Sequence, residues 1–196
     1  MRVRLEMVFI VPWFLAVIPL LFPTGTAAGT VAEQPKPRLA RADVKSIPIA
    51  DAIRIGGPDA KKNVVVFSDP DCRFCAKLHV EIKAVAAADP DVAFHVKIFS
   101  RRNDPPTVRK AAAVACSKSE KMLEDAYARK ELPEPACGTG IVEETARLSA
   151  RLALKGTPAM ILPDGRIVLG YRDAAAIRAL LAESVPGKAS PAKKEP

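Results

Sequence analysis

The sequence predicts an α/β fold: a β-α-β half, a helical insertion, then a C-terminal β-β-α half, with helices on both sides of one sheet. Three stretches carry that prediction. Residues 63–69, Asn-Val-Val-Val-Phe-Ser-Asp, place an apolar run between turn residues, the pattern of a strand buried on both faces. The period then changes, and Phe74, Leu78, Ile82 and Val85 recur at helical spacing along one face. Residues 92–100 return to alternation, with Val92, Phe94, Val96 and Ile98 on one face and Ala93, His95, Lys97 and Phe99 on the other. Strand, helix and strand in that order imply a parallel pair joined by a right-handed crossover.

The remaining elements follow in chain order. The first helix is expected to end near Ala88, ahead of Asp89-Pro90-Asp91. From Pro105 to Gly156 the chain is rich in Ala, Lys, Glu and Arg and reads as helix, divided at residues 131–140 by prolines and glycines. Residues 157–171 hold two short apolar runs around Pro163-Asp164-Gly165, a hairpin signal. Residues 173–184 close with an amphipathic helix that Asp173 can cap. The folded unit is expected over residues 46–184, long enough for one domain with its own core.

The ends speak to compartment. Arg2 and Arg4, diluted by Glu6, precede an apolar run from Val8 to Phe22 and a small-residue exit, Thr24 to Gly29. These are the three parts of a secretory signal peptide, assigned to residues 1–28 with a cut after Ala28. The alternative is an uncleaved membrane anchor, but the run falls short of the roughly 20 residues a span needs and contains Pro12 and Pro19. Either way the rest of the chain is exported, which in a bacterium means the periplasm. Residues 29–45 are polar and proline-bearing and read as a flexible lead-in. Residues 185–196 lack apolar residues to pack and read as a disordered tail. The formal charge of +8 is scattered, partly at the ends, and no basic stretch is interleaved with aromatics as a nucleic-acid platform would be. It reads as solubility, and no nucleic-acid partner is expected.

Four cysteines in an exported chain could form two structural disulfides. The two pairs differ, however. Cys72 and Cys75 fall where a central strand ends and a helix begins, and there unpaired backbone N–H groups and the helix dipole favour negative charge. A thiolate on Cys72 is stabilised in that position and becomes a better nucleophile and leaving group. A bond from Cys72 to Cys75 closes so short a loop that it stabilises little, so the pair serves better as a redox couple than as a staple. Zinc or copper would want further ligands. His79, one turn after Cys75, could join such a site, although a surface or packing role suits it better, and His95 in mid-strand reads as structural. No metal and no cofactor is expected. Cys116 and Cys137 lie in the helical insertion, and closing that loop would stabilise it by roughly 3 kcal/mol; this pair is assigned to structure.

A buried strand running into C-x-x-C, a helical insertion, and Gly156-Thr157-Pro158 before a hairpin resemble the thioredoxin pattern. The finer resemblance is to the periplasmic disulfide isomerases of the DsbC/DsbG family. It rests on "VVVFSDPDCRFCAKLH" at residues 64–79, "GTPAMILPDGRIVLGY" at residues 156–171 and the position of Cys116 and Cys137. The resemblance implies a thioredoxin-like fold, a catalytic pair Cys72 and Cys75, and a cis-proline loop at Thr157 and Pro158 that meets substrate. It also implies a structural disulfide between Cys116 and Cys137. Thioredoxins keep a buried acid six residues before the first cysteine, where this chain has Val66. Between the cysteines, Arg73 adds a cation beside Cys72, and Arg73 and Phe74 together are expected to tune the site. The implied activity is thiol–disulfide exchange of isomerase or reductase type, with exported disulfide-bearing proteins as substrates and a membrane thiol–disulfide redox partner. The family's N-terminal dimerisation domain has no counterpart in the lead-in, so a monomer is expected. The alternative function is a thioredoxin-like metal-binding chaperone using Cys72, Cys75 and His79.

Overall fold

The computed structural model describes residues 41–184. The expected signal peptide, the expected lead-in up to residue 40 and the expected tail from residue 185 lie outside the described residues. A five-stranded mixed sheet organises the fold: β1 (Ile53–Gly56), β2 (Lys62–Ser68), β3 (Val92–Ile98), β4 (Ala159–Ile161) and β5 (Ile167–Leu169), in spatial order β1-β3-β2-β4-β5. Around it lie α1 (Arg73–Ala88), α2 (Pro105–Ser117), α3 (Glu120–Tyr127), α4 (Gly140–Arg151) and α5 (Ala174–Glu183). The thioredoxin-like α/β fold with its helical insertion is as the sequence implied.

The centre is the parallel pair β2 and β3, in register Val64 to Phe94 and Val66 to Val96. The helix α1 connects them and packs on β3, β1 and α5. Leu78, Ile82 and Val85 face the core as the periodicity predicted, but Phe74 does not: it is 43% exposed, and Cys75 takes the buried place in the first turn. The two ends of α1 are capped by chain geometry, with Cys72 as N-cap and Asp89 as C-cap.

Two features were not legible. The short strand β1 pairs antiparallel with β3, Ile53 facing Val96 and Ile55 facing Phe94; four residues with two isoleucines carry too little periodicity to announce a strand. The insertion also breaks earlier than predicted, at Lys118 in a left-handed conformation (φ 49°), after which Ser119 caps α3 by accepting the Met122 N–H.

The strand β3 is buried along its whole length, because it lies inside the sheet and is packed by α1, α2 and α4. Its polar residues therefore need partners. His95 Nε2 bonds Asn63 Oδ1 at 2.8 Å. Lys97, 2% exposed, donates its ammonium to the Pro48 carbonyl at 2.9 Å and to the Asp51 carboxylate. Removing one partner of a buried pair leaves a stranded charge, so Asp51→Ala is expected to cost about 3 kcal/mol, read as a shift in the urea midpoint at constant slope. A change under about 0.5 kcal/mol would mean that Pro48 and solvent suffice for Lys97.

The hairpin β4–β5 turns at Gly165, whose φ of 84° and close approach to Ala42 leave no room for a Cβ. Ala42 N–H donates to Gly165 carbonyl at 2.9 Å, so the chain is already held to the hairpin ahead of the 3₁₀ turn at Val44–Ser46.

Candidate active site

The parallel strands β2 and β3 end side by side at Ser68 and Ile98, so the loops that follow them share one edge of the sheet. The first loop is fixed by Asp69. Its carboxylate accepts the Asp71 N–H at 2.8 Å and the Arg101 N–H, from the second loop, at 2.9 Å, while its carbonyl accepts the Cys72 N–H at 3.0 Å. This turn delivers Cys72 to the N-cap position of α1.

There Cys72 Sγ accepts the Cys75 N–H at 3.3 Å, a bond that serves as the helix cap. Both thiols are free; Cys72 is half-buried and Cys75 is 2% exposed. From 85 residues away, the Thr157 carbonyl lies 3.6 Å from Cys72 Sγ and can accept its S–H. The Thr157–Pro158 peptide is cis, and the Pro158 carbonyl accepts the Gly170 N–H at 2.8 Å, which ties the loop to the hairpin. The structure thus brings Cys72, Cys75, Thr157 and Pro158 together. Cys116 and Cys137 stand apart, joined as a disulfide with Cα atoms 5.6 Å apart that binds the end of α2 to the segment before α4.

The two thiols sit in different surroundings. Burial pushes the Cys75 thiol up to about 12, with the Ser68 hydroxyl and the Asp69 backbone opposing it. Among the described residues, no carboxylate lines the space behind Cys75. That space is walled by Val66, Leu78, Ile82 and Val96, and its polar groups are Ser68, His79 and Tyr127. Ser68 Oγ and Tyr127 Oη share a hydrogen bond of 2.6 Å, and burial raises the phenol above its ordinary range. The position where a thioredoxin keeps its acid is Val66, 2% exposed.

Arg73, expected as a cation beside Cys72, lines the same cleft as Cys72. Its guanidinium lies 4.8 Å above the Phe74 ring centroid, a cation–π contact. Both side chains remain exposed at the rim.

Sequence reasoning missed the surroundings of the pair. An open cleft of about 840 Å³ adjoins Cys72, lined also by Asp71, Arg101, Arg102, Lys110, Tyr127 and Arg129. Burial alone would raise the Asp71 carboxyl, but Lys110 and Arg102 outweigh it and hold it below its ordinary range. The usable signal was Arg101-Arg102 directly after a parallel strand, since open α/β sheets gather ligands at the carboxyl ends of their strands.

His79 is buried at 5% exposure, its ring tilted against Tyr127 with centroids 5.6 Å apart. Its Nε2 lies 3.5 Å from Glu124 and 3.9 Å from Glu120, and neither ring nitrogen has a hydrogen-bond partner among the described residues. Lys83 occupies both carboxylates, at 2.8 Å from Glu120. Among the described residues, the metal-ligating atoms that converge are those of His79, Glu120 and Glu124. His79 therefore faces the carboxylates of α3, and the soft-metal set of Cys72, Cys75 and His79 is not assembled.

Burial holds both His79 and His95 below the ordinary histidine value of 6.5, with Glu124 and Glu120 partly offsetting this for His79. The unfolded chain then takes up these protons first, so stability gained from neutral histidine is complete above about pH 6.5 and declines as pH falls below it. Glu124, held low by Lys83, acts in the same direction at lower pH. The melting temperature is expected to fall between pH 7.5 and pH 5, and less steeply in His79→Gln. A flat profile over that range would show that neither imidazole resists protonation.

Taken together, the fold and the site define a thioredoxin-type module with a two-cysteine motif at a helix N-terminus facing a cis-proline loop. The chain belongs to the thioredoxin-like domain family, which residues 49–184 match. It is similar to the thiol:disulfide interchange protein DsbC of Salmonella typhimurium, 32% identical over 128 residues, covering 64% of this chain and 53% of that protein. DsbC of Escherichia coli K12 is 31% identical over 117 residues, covering 59% and 48%. The chain spans about half the length of these curated relatives. Among solved structures, a disulfide interchange protein from Neisseria gonorrhoeae superposes with a TM-score of 0.58 at 25% identity, over 70% of this chain and 98% of that one. The catalytic domain of Proteus mirabilis ScsC shares the fold, with a TM-score of 0.56 at 21% identity over 69% and 89%. None of the helices in the described residues is long and apolar enough to cross a membrane.

Proposed function

We propose that this protein is an exported thiol–disulfide oxidoreductase whose redox couple is Cys72 and Cys75. The observation that carries the reading is the asymmetry of the pair. Cys72 is accessible at the helix start, between the Cys75 N–H and the Thr157 carbonyl, while Cys75 is buried behind it with its thiol raised to about 12. One sulfur is placed to attack and the other to resolve.

In the reaction, the Cys72 thiolate attacks one sulfur of a substrate disulfide. That S–S bond breaks, a mixed disulfide forms, and the departing substrate thiolate takes a proton. Cys75 then loses its proton and attacks Cys72 Sγ, closing the Cys72–Cys75 disulfide and releasing the second substrate thiol. The substrate gains two electrons and the pair loses them. When a thiol of the substrate itself attacks instead, the pair stays reduced and the substrate's disulfide is rearranged. The backbone before Pro158 is the surface against which an extended substrate lies, with the Thr157 carbonyl nearest the reacting sulfur. Substrates would be exported proteins bearing disulfides, and a membrane thiol–disulfide partner would restore the pair. The leader-like N-terminus and the Cys116–Cys137 disulfide both suit an oxidising compartment such as the periplasm.

The test is a trap. In Cys75→Ser the mixed disulfide cannot be resolved from within, so covalent adducts with exported proteins are expected on non-reducing gels and should vanish with reductant. Absence of adducts with Cys72 present and reduced would count decisively against exchange.

A further inference from the structure

We propose that the cleft beside Cys72 selects substrates whose reactive cysteine is flanked by acidic residues. The inference rests on the exchange reading and names the chemistry of the polypeptide that enters. Five cations (Arg73, Arg101, Arg102, Lys110 and Arg129) line the cleft against two carboxylates, Asp69 and Asp71.

Neither carboxylate answers the excess in full. Asp69 is consumed by backbone, accepting the N–H groups of Asp71 and Arg101. Asp71 is consumed by two cations at once, Arg102 at 3.1 Å and Lys110. The side chains of Arg73, Arg101 and Arg129 are exposed and make no ion pair among the described residues, and the Arg73 guanidinium lies over the Phe74 ring. Three cations are therefore left facing the mouth of a cleft whose wall carries the nucleophile. Ala76 and Tyr127 also line the cleft, so a segment can rest on apolar surface while its carboxylates reach guanidinium groups. About 840 Å³ is room for a few residues of extended chain.

Guanidinium pairs with carboxylate through two parallel hydrogen bonds, which gives register as well as attraction. A walled site of one sign also raises the encounter rate of oppositely charged ligands, by tenfold or more at low salt. The same field favours the first chemical step, because the departing substrate sulfur leaves as an anion. Substrate choice and leaving-group stabilisation thus share one set of side chains.

The test uses the reduced full chain and three synthetic peptide disulfides of one length, with Glu, Gln or Lys on both sides of the cysteine. The second-order rate of peptide-thiol release, which counts the first attack even when Cys75 then resolves the mixed disulfide, is followed by mass spectrometry after acid quench. At low salt the Glu peptide should react about tenfold faster than the Gln peptide and about a hundredfold faster than the Lys peptide. The spread should contract several-fold at high salt. Arg129→Gln and Arg101→Gln should each narrow the Glu-to-Lys ratio by several-fold, and the two variants report separately should one fold poorly. Equal rates for the three peptides, or a preference that neither salt nor either variant narrows, would overturn the selectivity and leave exchange standing. Failure of all three peptides to react would overturn exchange itself and this inference with it.

Discussion

Replacing Cys72 with serine should bring disulfide reduction down to the uncatalysed background while leaving the domain as stable as before. The two halves of that result come from the two jobs of one side chain. Chemically, Cys72 Sγ is the accessible sulfur of the pair, and a serine hydroxyl neither ionises near neutral pH nor forms a bond to sulfur that exchanges. Cys75 cannot take over, because its thiol is buried and raised to about 12. Structurally, Cys72 caps α1 by accepting the Cys75 N–H, and serine is among the preferred caps. The cap should survive, and the stability change should stay within about 0.5 kcal/mol. Insulin turbidity reads the chemistry and a thermal melt reads the fold. Residual turnover above background in a fully folded Cys72→Ser would move the nucleophile elsewhere and sink the assignment.

The same helix start shows how far the sequence could be read. A run of valines followed by helical spacing and then by alternation is long enough to define β2, α1 and β3, and C-x-x-C at the seam between two of them marks the proposed redox pair. Local pattern does not say which side chain of a first turn faces in. Phe74 continued the apolar spacing of α1, yet Cys75 is the residue that turns to the core, and Phe74 stays outside beneath Arg73. Burial of His95 and Lys97 was hidden for a similar reason: alternation marks two faces, but only the helices packed on β3 decide that neither is wet. The cations of the cleft come from the first turn of α1, from the loop after β3, from α2 and from the segment just past α3. Their convergence on Cys72 depends on Asp69 holding one loop to another and on the turn at Lys118. Such long-range closures leave no periodic trace. The cis-proline loop became legible through resemblance, since nothing in residues 156–158 alone places Thr157 against a sulfur 85 residues earlier.

The second cysteine pair should behave as the inverse of the first: Cys116→Ser should lower stability by about 3 kcal/mol and leave exchange at Cys72 largely intact. The disulfide closes a loop with a sequence separation of 21, which contains the whole of α3 and the proline-rich stretch after it. Without the bond, the unfolded chain recovers the entropy of that loop. The native state also loses its tie between the end of α2 and the segment leading into α4. For a domain of this size, a loss of that order is expected to lower the melting temperature by about 10 °C. The effect on chemistry should be small because neither cysteine is among the residues around Cys72 or lining its cleft. What couples the two regions is α3, which packs against α1 and carries Tyr127, the partner of Ser68. The double variant Cys116→Ala with Cys137→Ala removes the risk that a lone Cys137 thiol pairs with Cys72. It should match the single variant in stability when both are measured at pH 7. Exchange rates of both, taken at least ten degrees below their own melting temperatures, should fall within about threefold of the parent rate. Loss of exchange in the double variant while it remains folded would make the insertion part of the catalytic apparatus, with Cys116–Cys137 setting the position of Tyr127 behind Cys75.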